Sequence, residues 1–206
     1  ISINQQNTGD IIVTNSDNVQ IVTNIGSLQI SQIPIPENSL EDGEHGNSYI
    51  DNKAGFTIEK PSANWYFLKV EDFAKTQPDL LKYITDEYLG GVYVSTDSSD
   101  NVMIVVERPS ENEDLSKLID EQIVYSEELV KTELTLTKKF VSPDGNWAVF
   151  EVTTKLTEPK YARQILHKYN DRLYIISTTT SDLPDNMSEE RKNELKQIIE
   201  SFRIIV

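Results

Sequence analysis

The chain contains no cysteine, so disulfides, thiolate catalysis, cysteine-ligated zinc and iron–sulfur clusters are excluded. Glycine is scarce, eight in 206 residues, and no glycine-rich phosphate loop or dinucleotide turn occurs. A Gly-x-Ser-x-Gly elbow and a His-Glu-x-x-His helix are also missing, which takes the usual supports from hydrolase, kinase and dehydrogenase readings. No apolar run approaches the roughly 20 residues that span a bilayer. Basic residues are few, 19 Lys plus Arg against 34 Asp plus Glu, for a formal charge of −15. With no compact basic cluster to offset it, that field repels phosphate backbones, so neither nucleic acid nor an anionic membrane is an expected partner.

A second absence divides the chain. Residues 1–48 hold no Lys, no Arg and no aromatic, whereas every basic and aromatic residue falls between Tyr49 and Val206. We therefore read residues 1–48 as a polar β-strand arm with a linker, and residues 49–206 as a globular domain large enough for one substantial core. The arm carries a short repeat, Ile12-Val-Thr-Asn-Ser-Asp-Asn-Val-Gln20 followed by Ile21-Val-Thr-Asn-Ile-Gly-Ser-Leu-Gln29. Its β-branched residues favour strands and its Asn, Ser, Asp and Gly clusters favour turns, which predicts a meander of two or three strands. The run Gln32-Ile-Pro-Ile-Pro-Glu-Asn38 and the cluster Glu41-Asp-Gly-Glu-His-Gly46 read as an extended linker.

In the domain, period-two patterns predict strands at Phe56–Glu59, Trp65–Val70, Val92–Ser95, Val102–Glu107, Leu134–Val141, Trp147–Lys155, Tyr161–Tyr169 and Leu173–Thr180. Turn residues at Pro143-Asp-Gly-Asn146 and Asn170-Asp171 make antiparallel hairpins of the later ones. Apolar residues spaced by three and four predict helices over about Pro78–Tyr88, Glu113–Leu129 and Glu189–Phe202. Ser188 suits the N-cap of the last helix, and Ser110-Glu-Asn-Glu113 reads as a capping box for the second. The class is α+β, an antiparallel sheet covered by helices on both faces, with a β-rich arm in front.

The stretch Tyr49-Ile-Asp51, Gly55-Phe56-Thr57-Ile58, Pro61 and Trp65 resembles the opening of PsbP-like domains, the superfamily of the photosystem II extrinsic protein PsbP and the Ran-binding Mog proteins. The resemblance covers about residues 49–206 and leaves the arm out. It implies an α/β/α sandwich and a role in assembly or binding, and it transfers neither photosystem nor Ran binding.

Of the two histidines, His45 lies in the acidic linker. His167 lies in a strand whose Tyr161, Arg163, Ile165, His167 and Tyr169 share one face. The reading of residue types alone is a half-exposed strand histidine beside aromatics. The alternative is a small-ligand or catalytic pocket around Arg163, His167 and Tyr169. In Ser95-Thr-Asp-Ser-Ser-Asp-Asn101, Asp97 and Asp100 come close together with hydroxyls and an amide, oxygen ligands suited to calcium, although the same residues make an ordinary solvated hairpin turn. No other cofactor is expected. Carboxylates are too plentiful for a glycosidase-like pair to be singled out. Trp65 and Trp147 read as packing residues, and the sequon Asn186-Met-Ser188 overlaps a helix cap.

The expected function is a non-enzymatic interaction or assembly protein outside the cytoplasm, secreted or at the cell surface. The opening at Ile1 without Met fits removal of a signal or anchor segment and fits a trimmed chain equally. Ile12, Val13, Val19, Ile21, Val22 and Ile30 of the arm are the expected interaction residues, pairing by β-augmentation with a protein partner, a neighbouring copy or an exposed edge of the domain itself.

Overall fold

The chain forms two compact units, Ile1–Phe67 with Pro184–Val206 and Leu68–Leu183, in the computed structural model, which describes residues 2–5, 11–15, 18–23, 26–34, 40–76, 84–96, 100–110 and 112–206. The class is α+β, two largely antiparallel sheets with three helices among the described residues.

In the first unit, β1 (Ser2–Gln5), β2 (Ile11–Asn15), β3 (Asn18–Thr23) and β4 (Gly26–Ile33) form an antiparallel meander. Each copy of the nine-residue repeat takes in the end of one strand and the start of the next, and Ile12 lies opposite Ile21. β4 then runs parallel to β15 (Arg203–Ile205), with Ser31 opposite Arg203 and Ile33 opposite Ile205. On its other side β15 pairs antiparallel with β7 (Phe56–Glu59), and β6 (Ser48–Asp51) and β5 (Gly43–His45) complete an eight-stranded sheet ordered β1-β2-β3-β4-β15-β7-β6-β5.

Three local signals at the sequence level need correcting here. The acidic cluster read as linker contains β5, which pairs with β6 through a two-residue Gly46-Asn47 turn; a three-residue strand without β-branched residues has no periodic signal. The side chain of Asn52 fastens the segment before it, donating to the Leu40 carbonyl at 2.8 Å, while its N–H donates to Asp42 Oδ1 at 2.7 Å. The border between residues 48 and 49 falls at the first step of β6, because lysine, arginine and aromatic content marks surface and core composition, whereas backbone pairing groups strands irrespective of it. β15 carries no periodic signal, because three residues after a helix leave no room for alternation.

The motif residues have physical roles. Gly55 sits at φ +76° in the turn from β6 to β7, a conformation that disfavours a Cβ, and its N–H donates to the Asp51 carbonyl at 2.7 Å. Tyr49, Phe56 and Ile58 alternate inward, and the rings of Tyr49, Phe56 and Phe202 follow one another at 6.2 and 6.1 Å. Trp65 is fully buried, with the Arg191 guanidinium 5.3 Å from its ring centre. The helix Glu189–Ser201 buries Leu195, Ile198 and Ile199 and lies against β4 and β7. Its cap is the one expected: Ser188 Oγ accepts from the Arg191 N–H at 3.3 Å, and Glu189 and Glu190 occupy the positive end of the dipole.

The second unit begins within β8 (Tyr66–Lys69). Its sheet runs β11-β12-β13-β14-β10-β9-β8, with β9 Tyr88–Ser95, β10 Asn101–Glu107, β11 Leu134–Val141, β12 Trp147–Thr154, β13 Tyr161–Tyr169 and β14 Arg172–Thr180. Helix α1 (Val70–Thr76) starts where a strand was expected to end. Glu71 and Asp72 in its first turn favour a helix start there, a signal outvoted in the sequence by the preceding apolar run. Of the helix expected over Pro78–Tyr88, residues 78–83 lie outside the described residues, and Tyr88 is the first residue of β9.

Helix α2 (Leu115–Val130) covers one face of this sheet. Leu115 and Ile119 pack with Ala148, Phe150 and Val152 of β12, Leu166 of β13, and Leu173 and Ile175 of β14. Each fully buried leucine stabilises by about 1.5–3 kcal/mol relative to exposure. The cap of α2 differs from expectation. Asp114 caps, accepting from the Ser116 N–H at 2.8 Å, while Ser110 and Glu113 close a turn of their own just before it, with Ser110 Oγ donating to Glu113 Oε2 at 2.9 Å. Asp114 directly precedes the first apolar position, four residues nearer to it than Ser110, so its carboxylate reaches the open N–H groups that Ser110 cannot.

Candidate functional site

Strand β13 presents two chemically different faces, and their contents follow from the period of two. One face carries Tyr161, Arg163, Ile165 and His167, all buried, and half-buried Tyr169. Arg163 is 3% exposed, so its charge needs an anion. Register supplies one: Glu151 lies opposite it on β12 and opposite Lys138 on β11, with Oε1 3.9 Å from Arg163 Nε and 3.8 Å from Lys138 Nζ.

His167 is more enclosed than the half-exposed residue its strand pattern suggested, at 8% exposure, because β12 and β14 flank it on both sides. Burial pushes its pKa down to about 4, with Asp144 opposing only partly. Its ring stacks 6.3 Å from that of Tyr169, and Nδ1 has no hydrogen-bond partner. The three residues of the alternative pocket thus share a face, as expected, but they serve an ion ladder and a ring stack, and none lines the cavity described next.

The opposite face of β13 carries Ala162 and Gln164, and beneath α2 it bounds a cavity. Two adjoining chambers of about 130 and 280 Å³ share Met103, Gln122, Tyr125, Gln164 and Ser177 in their walls. The smaller extends toward Val70, Phe73 and Ala74 of α1 and reaches Glu107; the larger extends toward Phe150, Val152 and Leu134. Gln164 and Ser177 are direct partners across β13 and β14, and Met103 lies opposite Ser177 on β10, so one rung of the sheet supplies the cavity floor. Gln164 Oε1 and Ser177 Oγ are buried without a hydrogen-bond partner, and Ser177 is 5% exposed. Burial, then the charges of Glu113 and Glu87, push the Glu107 carboxyl up from the ordinary range. The sequence contained a faint signal for this site, since Gln164 and Ser177 interrupt apolar strands; only register shows that they face each other.

Of the calcium pair, Asp97 lies outside the described residues. Asp100 is buried, and its Oδ1 accepts from Ser181 rather than standing open in a turn. Among the described residues no three or more histidine or carboxylate side chains cluster in a way that could hold a metal, and no helix is long and apolar enough to cross a membrane. Of the arm residues, Ile12 and Val13 lie in β2, Val19, Ile21 and Val22 in β3 and Ile30 in β4, with Val19 opposite Ile30. The meander they build ends in β1, the outermost strand of its sheet.

No family model matches the chain, and no curated protein matches it in sequence. Among solved structures it is similar to cyanobacterial PsbP (CyanoP) from Synechocystis sp. PCC 6803, at 13% identity over 82% of this chain and 99% of that one, with a TM-score of 0.53. The Ran-binding protein Mog1p of Saccharomyces cerevisiae aligns at 13% identity over 73% of this chain and 90% of that one, with a TM-score of 0.44. The fold is PsbP-like.

Proposed function

We propose that the protein is a non-enzymatic interaction or assembly module outside the cytoplasm, its PsbP-like domain serving as the body that presents the N-terminal strands to another chain. The observation that carries this reading is the place of β1. As the last strand of its sheet, it has no strand partner on its outer side among the described residues. An edge of that kind accepts an added strand through main-chain hydrogen bonds. Its sequence, Ser2-Ile-Asn-Gln5, contains neither the lysine nor the proline with which edges are commonly blunted. β2 to β4 lie between that edge and β15 in the sheet order, and Ile12, Val13, Val19, Ile21, Val22 and Ile30 supply the β-branched residues of the platform.

The non-enzymatic part of the reading draws on the missing catalytic motifs and on a histidine that stays neutral and enclosed at neutral pH. The extracytoplasmic part is compatible with a cysteine-free chain, whose fold is indifferent to the redox state of its compartment. A second copy is the simplest partner, since two β1 edges related by a twofold axis are complementary to each other.

Light scattering across a concentration series, on the intact chain and on a chain lacking residues 1–10, which removes β1 and leaves β4 paired with β15, tests the proposal. The intact chain should exceed monomer mass as concentration rises, and the shortened chain should not. Monomer mass for both across the series would refute pairing between copies and leave the arm a cis element of its own sheet.

A further inference from the structure

The second unit holds a site that the strand-edge reading does not use. We infer that the two chambers beneath α2 bind a small, largely apolar molecule whose polar end donates hydrogen bonds, an amine or an alcohol rather than a carboxylate.

Cavities that stay empty are apolar, and an apolar cavity of about 150 Å³ accepts a benzene-sized ring. Here the volume is comparable or larger, about 130 and 280 Å³, and the walls include Phe73, Met103, Phe150 and Val152. Gln164 and Ser177 nonetheless line both chambers, and their Oε1 and Oγ are buried without partners. A buried polar atom left unpaired is unfavourable, and valine or leucine at these strand positions would pack without that penalty. The pair is therefore explained by a partner that enters from outside.

The chemistry of the walls selects that partner. An amide oxygen only accepts, and a serine hydroxyl accepts as readily as it donates. Glu107, half-buried at the smaller chamber, adds a carboxyl that a donor or a cation would satisfy. Among the described residues lining the two chambers the basic one is Lys160, which is exposed at the larger one, so a buried carboxylate would find no cation inside. An apolar body with a donating head satisfies both the walls and the floor.

The test is a titration of the full chain with phenethylamine, phenethyl alcohol and phenylacetate, which share a ring and differ in the head group, followed by amide chemical shifts. The amine and the alcohol should shift amides of β13, β14 and α2 around Gln164, Ser177 and Gln122 in a saturable way, with phenylacetate at least about tenfold weaker, a difference of one decade in affinity. Ser177→Ala and Gln164→Met, each shortening the acceptor set, should narrow that preference, and Gln122→Phe, from the helix side, should block all three probes. No saturable shift with any probe, shifts that map elsewhere, or equal affinity for phenylacetate would overturn the inference. The comparison of head groups on the unaltered chain keeps it falsifiable even where a variant fails to fold.

Discussion

Asp100 is held to Ser181 by two hydrogen bonds to the same carboxylate oxygen, from the backbone N–H at 2.7 Å and from the hydroxyl at 2.9 Å. The pair joins the start of β10 to the residue just past β14, two strands that are neighbours in the sheet. A buried carboxylate that accepts two hydrogen bonds is a structural fastener, and its loss leaves the Ser181 N–H and hydroxyl without that acceptor. Asp100→Ala should destabilise the chain by about 2 kcal/mol, and Asp100→Asn, which keeps an acceptor oxygen, by less. Urea unfolding of the three chains measures the difference; equal midpoints would show that the pair contributes nothing.

His167 makes stability depend on pH with a defined sign. Its folded pKa, about 4, lies below the ordinary 6.5, so between these values the unfolded chain takes up a proton that the folded chain refuses. This contribution is fully present above about pH 6.5 and is lost as the pH falls toward 4, a change on the order of 3 kcal/mol. Denaturation midpoints taken through that window should fall steadily. In His167→Gln the same window should be flatter, and an unchanged slope would mean that the imidazole does not titrate there.

Gly91 is required by close approach. A Cβ built on it would lie 2.4 Å from the Ile104 carbonyl oxygen and 3.0 Å from Val70 Cγ2. The first of these is backbone in the partner strand and cannot swing aside. Gly91→Ala should therefore cost about 1–3 kcal/mol, the range for overpacking a filled interior. A thermal melt compared with wild type reads the effect directly, and an unchanged midpoint would mean that β9 and β10 separate there without cost.

The meander can be loosened without dissolving the rest. Val22 sits within β3, where a proline removes a backbone donor. Hydrogen exchange on Val22→Pro should show protection lost across β2 to β4 while amides of β12 to β14 keep theirs. Loss of protection in both sets would show that the two units unfold as one.

The later strands were legible because their alternation is long and their turns are chemically marked: Tyr161–Tyr169 and Leu134–Val141 carry the predicted bounds, separated from their partners by Asn170-Asp171 and Pro143 to Asn146. Helices α2 and Glu189–Ser201 were legible through their apolar spacing. Short elements such as β5 and β15 fall below the length at which a period can be counted, and their existence depends on pairing between residues far apart in the chain. The cavity was illegible for a related reason. Gln164 and Ser177 look like ordinary polar interruptions until β13 and β14 are set in register, while Arg163 and His167, on the side that alternation made conspicuous, are occupied with packing.

The parallel contact between β4 and β15 has a kinetic consequence. Its partners Ile33 and Ile205 are separated by about 170 residues, and contacts of such long range are slow to form because the intervening chain must first be brought to closure. Until that happens, β4 and the outer side of β7 are both unpaired edges of matching geometry. At high concentration the β15 of one molecule can reach the β4 of another before its own, and the product is an exchanged dimer held by native contacts. Refolding from denaturant at low and high protein concentration should then partition differently between monomer and dimer, with dilution followed by slow unfolding needed to reverse it.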